Sequence, residues 1–353
     1  MAVGEEFGYN KRRVAQRKEL MKEGTLSRTF LIIFALAACA AASCACGGVP
    51  KYADELRDHC WLWGHETGQV DGANNGWLLD VARSYYHMAD AARDVGIHNL
   101  NAIRWDKPDK SFRDSLKPLK RVTWPISGNK TEKNYTYDAL ADWCFAAADE
   151  MPNVTGFDLD DFFIARGKSV TVQTATGPAL SCPTRFPYEQ LVELRKRLSA
   201  YPRPLELRVV VYDDLLDKRE NPGDLKPSLD LVDAVTYWTW RAKDIPRIPE
   251  HLARLRKLAP GKPIYLGIYL WDFGSHKEMP LELMEMQLKF ALDGWKDGTL
   301  EGFVFLCSSI CNRQYPAVIA ARKWISEHGN LRREPCCSKA GRSITSNGPG
   351  TEW

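Results

Sequence analysis

The sequence predicts an α/β fold, a single-domain (β/α)8 TIM barrel over residues 49–330, and three observations carry that expectation. From residue 56 onward, eight short apolar runs of strand character alternate with amphipathic helical stretches. Acidic and aromatic residues gather at one end of nearly every run, while the opposite ends carry ordinary material such as Lys262-Pro263 and Arg203-Pro204. A doubly wound sheet would place a Gly-rich phosphate turn after its first strand, but there the chain reads Gly64-His65-Glu66-Thr67-Gly68-Gln69.

The strands are expected, in order, at Cys60–His65, Asn99–Trp105, Lys120–Ile126, Val154–Asp160, Leu205–Tyr212, Ala234–Trp240, Ile264–Trp271 and Gly302–Ser308. Helical spacing places helices at Ser84–Val95, Asp138–Met151, Tyr188–Tyr201, Pro249–Leu258, Pro280–Lys296 and Tyr315–His328. In the second of these, Leu140, Trp143, Cys144 and Ala147 recur at helical intervals. Pro280 opens one helix, Gly261 follows another, and Gly329 closes the last. The connectors after the second and fifth strands contain proline and promise short helices at best.

In a barrel of this kind the chemistry belongs at the carboxyl ends of the strands, where the loops converge. Those ends read Trp63-Gly64-His65-Glu66, Arg104-Trp105-Asp106, Thr123-Trp124, Asp158-Leu159-Asp160-Asp161, Tyr212-Asp213-Asp214, Tyr237-Trp238-Thr239-Trp240-Arg241 and Tyr269-Leu270-Trp271-Asp272. Alternation along the seventh strand puts Ile264, Leu266, Ile268 and Leu270 on an aliphatic face for covering helices. It puts Tyr265, Gly267, Tyr269 and Trp271 toward the interior and mouth. The same rule in the fourth strand turns Asp158 and Asp160 inward, with Asp161 just past the strand end.

Three carboxylates in four residues, at the end of an apolar strand, are costly to bury without a use or a partner. Crowded inward acids raise one another's pKa, so a protonated and an ionised carboxyl can coexist near neutral pH. Cleavage of a glycosidic bond needs that combination. Asp158, Asp160 and Asp161 are therefore the candidate catalytic residues, with Glu66, Asp213, Asp214 and Asp272 as sources of a second carboxylate. Trp63, Trp105, Trp124, Trp238, Trp240 and Trp271 offer platforms for sugar faces, and Tyr212 stands at the same end. His65, Arg104 and Tyr269 offer hydrogen bonds to hydroxyls. Plainer roles compete: Asp161 as a cap, Asp213 with Asp214 and Asp272 as turn residues, His65 as a structural histidine.

Composition narrows the alternatives. At 44% hydrophobic and 26% charged, the 353 residues can bury a sizeable core. A net charge of only +3 without a basic cluster argues against a nucleic-acid partner. No HxH or HExxH occurs among the seven histidines, and no CxxC pair recurs at zinc spacing, so neither a metal nor another cofactor is expected. Clustered carboxylates leave a calcium or magnesium site open.

Residues 1–48 read as an N-terminal extension with a signal or lipoprotein segment. The stretch from Arg28 to Cys39 is a basic flank, a short apolar run and then small residues, which fits a signal h-region better than a membrane span. Leu36-Ala37-Ala38-Cys39 resembles a bacterial lipobox, which would make Cys39 a lipid anchor; Ala42-Ser43-Cys44 is a second candidate, and a cleaved secretory signal is the alternative. Either reading exports the protein, and export permits disulfides among the ten cysteines without specifying which. Residues 331–353, rich in Arg, Ser and Gly, read as a disordered tail.

Residues 156–160, GFDLD, resemble the fourth-strand signature DGFDLDWE of chitinase-like, family 18-type glycoside hydrolases. The resemblance implies a glycosidase-like barrel with its acidic cluster on strand 4, in which Asp158 and Asp160 match the supporting acids. Thr155 stands where the family has its first Asp, Asp161 replaces its Trp, and Phe162 replaces its proton-donating Glu. Asp161 is then the substitute for the acid. The expected function is glycosidic-bond hydrolysis by carboxylate acid/base or nucleophilic chemistry on a glycan or polysaccharide. A non-catalytic carbohydrate-binding barrel is the alternative that Phe162 suggests.

Overall fold

The computed structural model describes residues 55–65, 86–104, 109–127 and 136–333. The segment bearing Cys39, both Glu66 and Trp105, and the tail beyond Arg333 lie outside the described residues. Eight parallel strands close into one barrel: β1 (Cys60–His65), β2 (Asn99–Ile103), β3 (Arg121–Ser127), β4 (Val154–Leu159), β5 (Glu206–Tyr212), β6 (Ala234–Trp238), β7 (Ile264–Tyr269) and β8 (Gly302–Leu306). Each strand pairs with the next in sequence. The sheet closes where β8 meets β1, with Cys60 opposite Phe303 and Trp63 opposite Leu306.

All eight expected strands are present, but β2, β6, β7 and β8 each end two residues early. The aromatic and acidic residues past β6 and β7 look strand-like by composition, yet they leave the barrel ladder.

Around the sheet run α1 (Met88–Val95), α2 (Lys110–Leu116), α3 (Tyr137–Glu150), α4 (Tyr188–Ala200), α5 (Asp213–Asp217), α6 (Lys226–Leu231), α7 (Ile248–Leu258), α8 (Leu281–Asp297) and α9 (Pro316–His328). Among the described residues, the proline-containing connectors hold the short α2, α5 and α6 and a 3-10 turn at Pro222–Leu225. The Thr136 hydroxyl accepts the Ala139 N–H at 3.3 Å to start α3, and Gly298, at φ +81°, ends α8 in the left-handed conformation. Outward strand residues meet these helices. Phe157 packs edge-on to Phe145 of α3 with ring centroids 5.2 Å apart, and Phe303 meets Trp324 of α9 at 5.6 Å. Trp124 also faces outward, against Phe112 of α2, so it offers no platform at the mouth.

A hairpin, Val170–Thr174 with Gly177–Ser181, is inserted between β4 and α4 and was not foreseen. A second, very short one, Trp271–Asp272 with Lys277–Glu278, follows β7 and carries Trp271 onto Tyr315, with ring centroids 5.4 Å apart.

Export allowed for disulfides, but Cys60, Cys144, Cys182, Cys307 and Cys311 are buried free thiols, and among the described residues no disulfide forms.

The interior is unusually polar at its lower levels. Asn101 Nδ2 donates to Thr123 Oγ1 at 2.8 Å and to Asp158 Oδ2 at 3.1 Å, and the Thr123 hydroxyl donates to the same carboxylate. Arg208, opposite Asp158 in the β4–β5 register, is 1% exposed. Its Nε donates to Glu206 at 2.7 Å, and its guanidinium carbon lies 3.9 Å from the Trp61 ring centroid and 4.2 Å from that of Tyr265. Burial works against its charge, but Tyr265, Glu206 and Asp158 outweigh that effect and hold it firmly protonated.

Removing one partner from such a buried set leaves charge uncompensated. Arg208→Ala is therefore expected to destabilise the barrel by about 3–5 kcal/mol, lowering the thermal midpoint by roughly 10 °C. Circular dichroism melts against wild type check this, and an unchanged midpoint would contradict it.

Candidate active site

The carboxyl ends of the strands surround a cavity of about 290 Å³. Aromatic residues form most of its wall. Trp63 of β1 meets Trp238 of β6 edge-on at 5.7 Å; Trp238 lies against Tyr269 of β7 at 4.8 Å. Trp240 stands edge-on to both Tyr269, at 6.0 Å, and Tyr212, at 6.2 Å. Leu306 of β8 completes this side.

Gly267, the inward residue between Tyr265 and Tyr269, makes room for it. A Cβ there would stand 1.9 Å from the Trp238 ring. Only glycine lets the indole lie flat across β7 at the cavity floor.

On the opposite side, Asp160 and Asp161 enter the cavity together, followed by Phe163 and Ala165. The Asp160 carbonyl accepts the Ser127 hydroxyl at 3.0 Å. Asp161 has a left-handed backbone, φ +46°, a conformation that aspartate tolerates better than most residues. Arg185 Nε donates to its carbonyl at 2.9 Å, and the Tyr212 hydroxyl donates to its Oδ1 at 3.0 Å. That turn lets two consecutive side chains share one cavity, whereas continued strand alternation would have sent Asp161 outward.

The electrostatics follow from this placement. Burial pushes the Asp160 carboxyl well above its ordinary value, and the charges of Asp161 and Asp158 push it further. Burial raises Asp161 as well, but the Tyr212 hydroxyl and the Arg185 guanidinium work against the rise. The two titrate as a pair that retains a proton longer than ordinary carboxyls do. Burial also keeps the Tyr212 and Tyr269 phenols neutral, and Tyr212 donates to Asp161.

Asp158 sits below the cavity in the Asn101–Thr123 network; burial raises its pKa against the opposing effect of Arg208. Phe162, in the position of the chitinase acid, is fully buried between Phe163 and Phe186.

The remaining sequence candidates divide. Tyr212, Trp238, Trp240 and Tyr269 line the cavity, as does Asp214, which pairs with Lys218 at 2.5 Å and lies 3.8 Å from Arg241. Asp213 and Asp272 do not face it. Asp213 accepts the Asp214 N–H at 2.9 Å and the Trp240 N–H at 3.4 Å, while Asp272 accepts those of Ala242 and Ser275, each at 3.2 Å. Both are turn clamps, because buried carboxylates beside free backbone N–H groups are satisfied locally. His65 is buried away from the cavity, with its backbone N–H on Ser308 Oγ at 2.9 Å, and Arg104 lies over the Phe112 ring at 4.5 Å.

Phe163, Ala165, Leu215 and Leu306 went unnoticed in the sequence. Alternation from Gly302 through Val304 points to Leu306, but nothing periodic marks the loop residues.

Among the described residues, Asp217, Glu250 and His251 come within ligating distance of one another. Arg254 meets Asp217 at 2.7 Å and Arg247 meets Glu250 at 3.2 Å, so this group is an ion-pair cluster on α5 and α7, apart from the cavity.

No family model matches the chain, and no curated protein matches it. Solved structures do. The active domain 2 of a thermostable chitinase from Pyrococcus furiosus superposes with a TM-score of 0.50 at 13% identity, covering 79% of this chain and 98% of that one. A family 18 chitinase from Crocus vernus gives 0.43 at 9% identity, over 76% and 98%. A family 5 mannosidase from Rhizomucor miehei gives 0.43 at 10%, over 77% and 92%. At these identities the likeness is one of fold: the chain has the barrel architecture that these glycoside hydrolases have.

A raised carboxyl pKa has a consequence for stability. Above about pH 4 the unfolded chain has released the Asp160 proton while the folded chain still holds it, so stability falls as pH rises through the folded-state titration. Asp160→Asn removes that loss. Denaturant titrations from pH 3.5 to 8 are expected to find the variant gaining on wild type as pH rises, and parallel curves would contradict the assignment.

Proposed function

We propose that the protein is a glycoside hydrolase acting on a glycan, with Asp160 as general acid and Asp161 as its ionised partner. The observation that carries this reading is the entry of both carboxyls into one cavity walled by Trp63, Trp238, Trp240, Tyr212 and Tyr269. Indole and phenol rings offer flat apolar faces to sugar rings, while the paired acids supply the proton that a leaving oxygen needs. Asp160 is the better acid because burial and two neighbouring carboxylates keep it protonated. Asp161 is the better carboxylate because Tyr212 and Arg185 favour its charge. This reverses the role that the family resemblance suggested for Asp161. Asp158 acts from below, by holding Asn101 and Thr123 and by its field on Asp160.

The buried Phe162 favours a second reading, a carbohydrate-binding barrel without turnover, since the family's acid position holds a hydrocarbon ring. Export, with Cys39 as a lipid anchor or a cleaved signal before the barrel, belongs to the same proposal and rests on the sequence between Arg28 and Cys39.

The test is a glycan panel with product anomers followed by NMR. Asp160→Asn and Asp161→Asn are each expected to lower turnover by about 10²-fold or more while leaving the fold intact. Wild type is expected to show a bell-shaped pH profile whose basic limb, set by the Asp160 proton, disappears in Asp160→Asn. Full activity in both variants would remove the pair from the mechanism, and wild-type binding without turnover would establish the second reading.

A further inference from the structure

We propose that Arg219 is the positioning residue that sets the width of the cavity, an inference that rests on the cavity being the substrate site. Arg219 lies just beyond α5, on the connection that follows β5, and its side chain is only 5% exposed. Its Nη1 donates toward three carbonyls of the β4 loop: Ile164 at 3.3 Å, Ala165 at 3.0 Å and Gly167 at 3.2 Å. Its Nε donates to Asp224 Oδ1 at 2.9 Å, and its Nη2 completes a two-pronged pair with Oδ2 of the same carboxylate.

Asp224 is fully buried and carries the grip further. Its Oδ2 accepts the Ser169 hydroxyl at 2.6 Å, and its backbone carbonyl accepts the Cys182 N–H at 2.7 Å. Ser169 immediately precedes the inserted hairpin and Cys182 immediately follows it. The guanidinium–carboxylate pair therefore holds the first foot of the insertion and the three carbonyls before it, while the backbone of Asp224 holds the second foot.

The two segments it joins are adjoining parts of the cavity wall. Phe163 and Ala165 line the cavity from the β4 loop, while Asp214 and Leu215 line it from the connection after β5 that carries Arg219. Among the described residues no strand ladder joins the hairpin to β5, and this pair ties the β4 loop directly to the connection after β5. Its planar five-donor fork is what the geometry uses, and lysine, a compact charge, cannot reproduce it. Arg219 touches neither Asp160 nor Asp161 in the bonds given above, so its effect falls on binding and not on proton transfer.

The experiment compares full-length wild type with Arg219→Lys, which keeps a cation beside the buried Asp224 where Arg219→Ala would leave it unpaired and risk misfolding. In native hydrogen exchange, the hydrogen-bonded amides of Ile164, Gly167 and Cys182 are expected to exchange at least about tenfold faster in the variant, with barrel-strand amides unchanged. For the glycan that the panel identifies, KM is expected to rise about tenfold while kcat and the pH profile hold.

Native exchange at those three amides, or equal acceleration throughout the barrel, would overturn the proposal. So would a loss of kcat with an altered pH profile at native KM. If no glycan binds wild type, the functional reading of the cavity fails, and the exchange comparison still decides whether Arg219 holds the insertion.

Discussion

The pairing of β8 with β1 is the constraint from which the rest follows. Once the eighth strand meets the first in parallel, every carboxyl end faces the same way and the sheet has no free edge. Alternation then acquires a single meaning around the ring: one set of side chains fills the interior and the other meets the helices. Trp61, Asn101, Thr123, Asp158, Arg208 and Tyr265 become neighbours although they come from six different strands. None of these proximities is local in sequence.

Closure also explains why the interior can hold charge. A guanidinium with a carboxylate partner and two ring faces is tolerable at 1% exposure, while the same group alone would not be. The charge at Arg208 keeps Asp158 compatible with burial, and Asp158 in turn stands beneath the pair at the cavity floor. At the top the carboxyls of Asp160 and Asp161 lose much of their water but gain Tyr212, Arg185 and one another.

Much of this was legible beforehand, and the reasons are physical. The eight strands could be placed because β-branched and aliphatic runs buried on both faces stand out between amphipathic helices. Tyr265, Gly267 and Tyr269 could be assigned inward because strand periodicity is strict. Asp158 could be called internal for the same reason. The readings that did not survive concern Trp124, inside the β3 ladder, and acids past the last ladder bond. Trp124 shares its composition with Trp63 but falls on the odd side of its strand. Asp213 and Asp272 are as acidic as Asp160, yet each is absorbed by two backbone N–H groups that only the folded loops bring within reach.

The sequence by itself determined the barrel, the end at which acids and aromatics collect, and the inward direction of Asp158 and Asp160. Those properties depend on hydrophobic period and chain order, which are written in the residues. Only the tertiary structure decided which carboxyls share a cavity, because that rests on the left-handed turn at Asp161 and on side chains arriving from β1, β5, β6 and β7. It also decided that the hydroxyl of Tyr212, fifty-one residues away, bonds the Asp161 carboxylate, which distinguishes two adjacent aspartates that the sequence cannot tell apart.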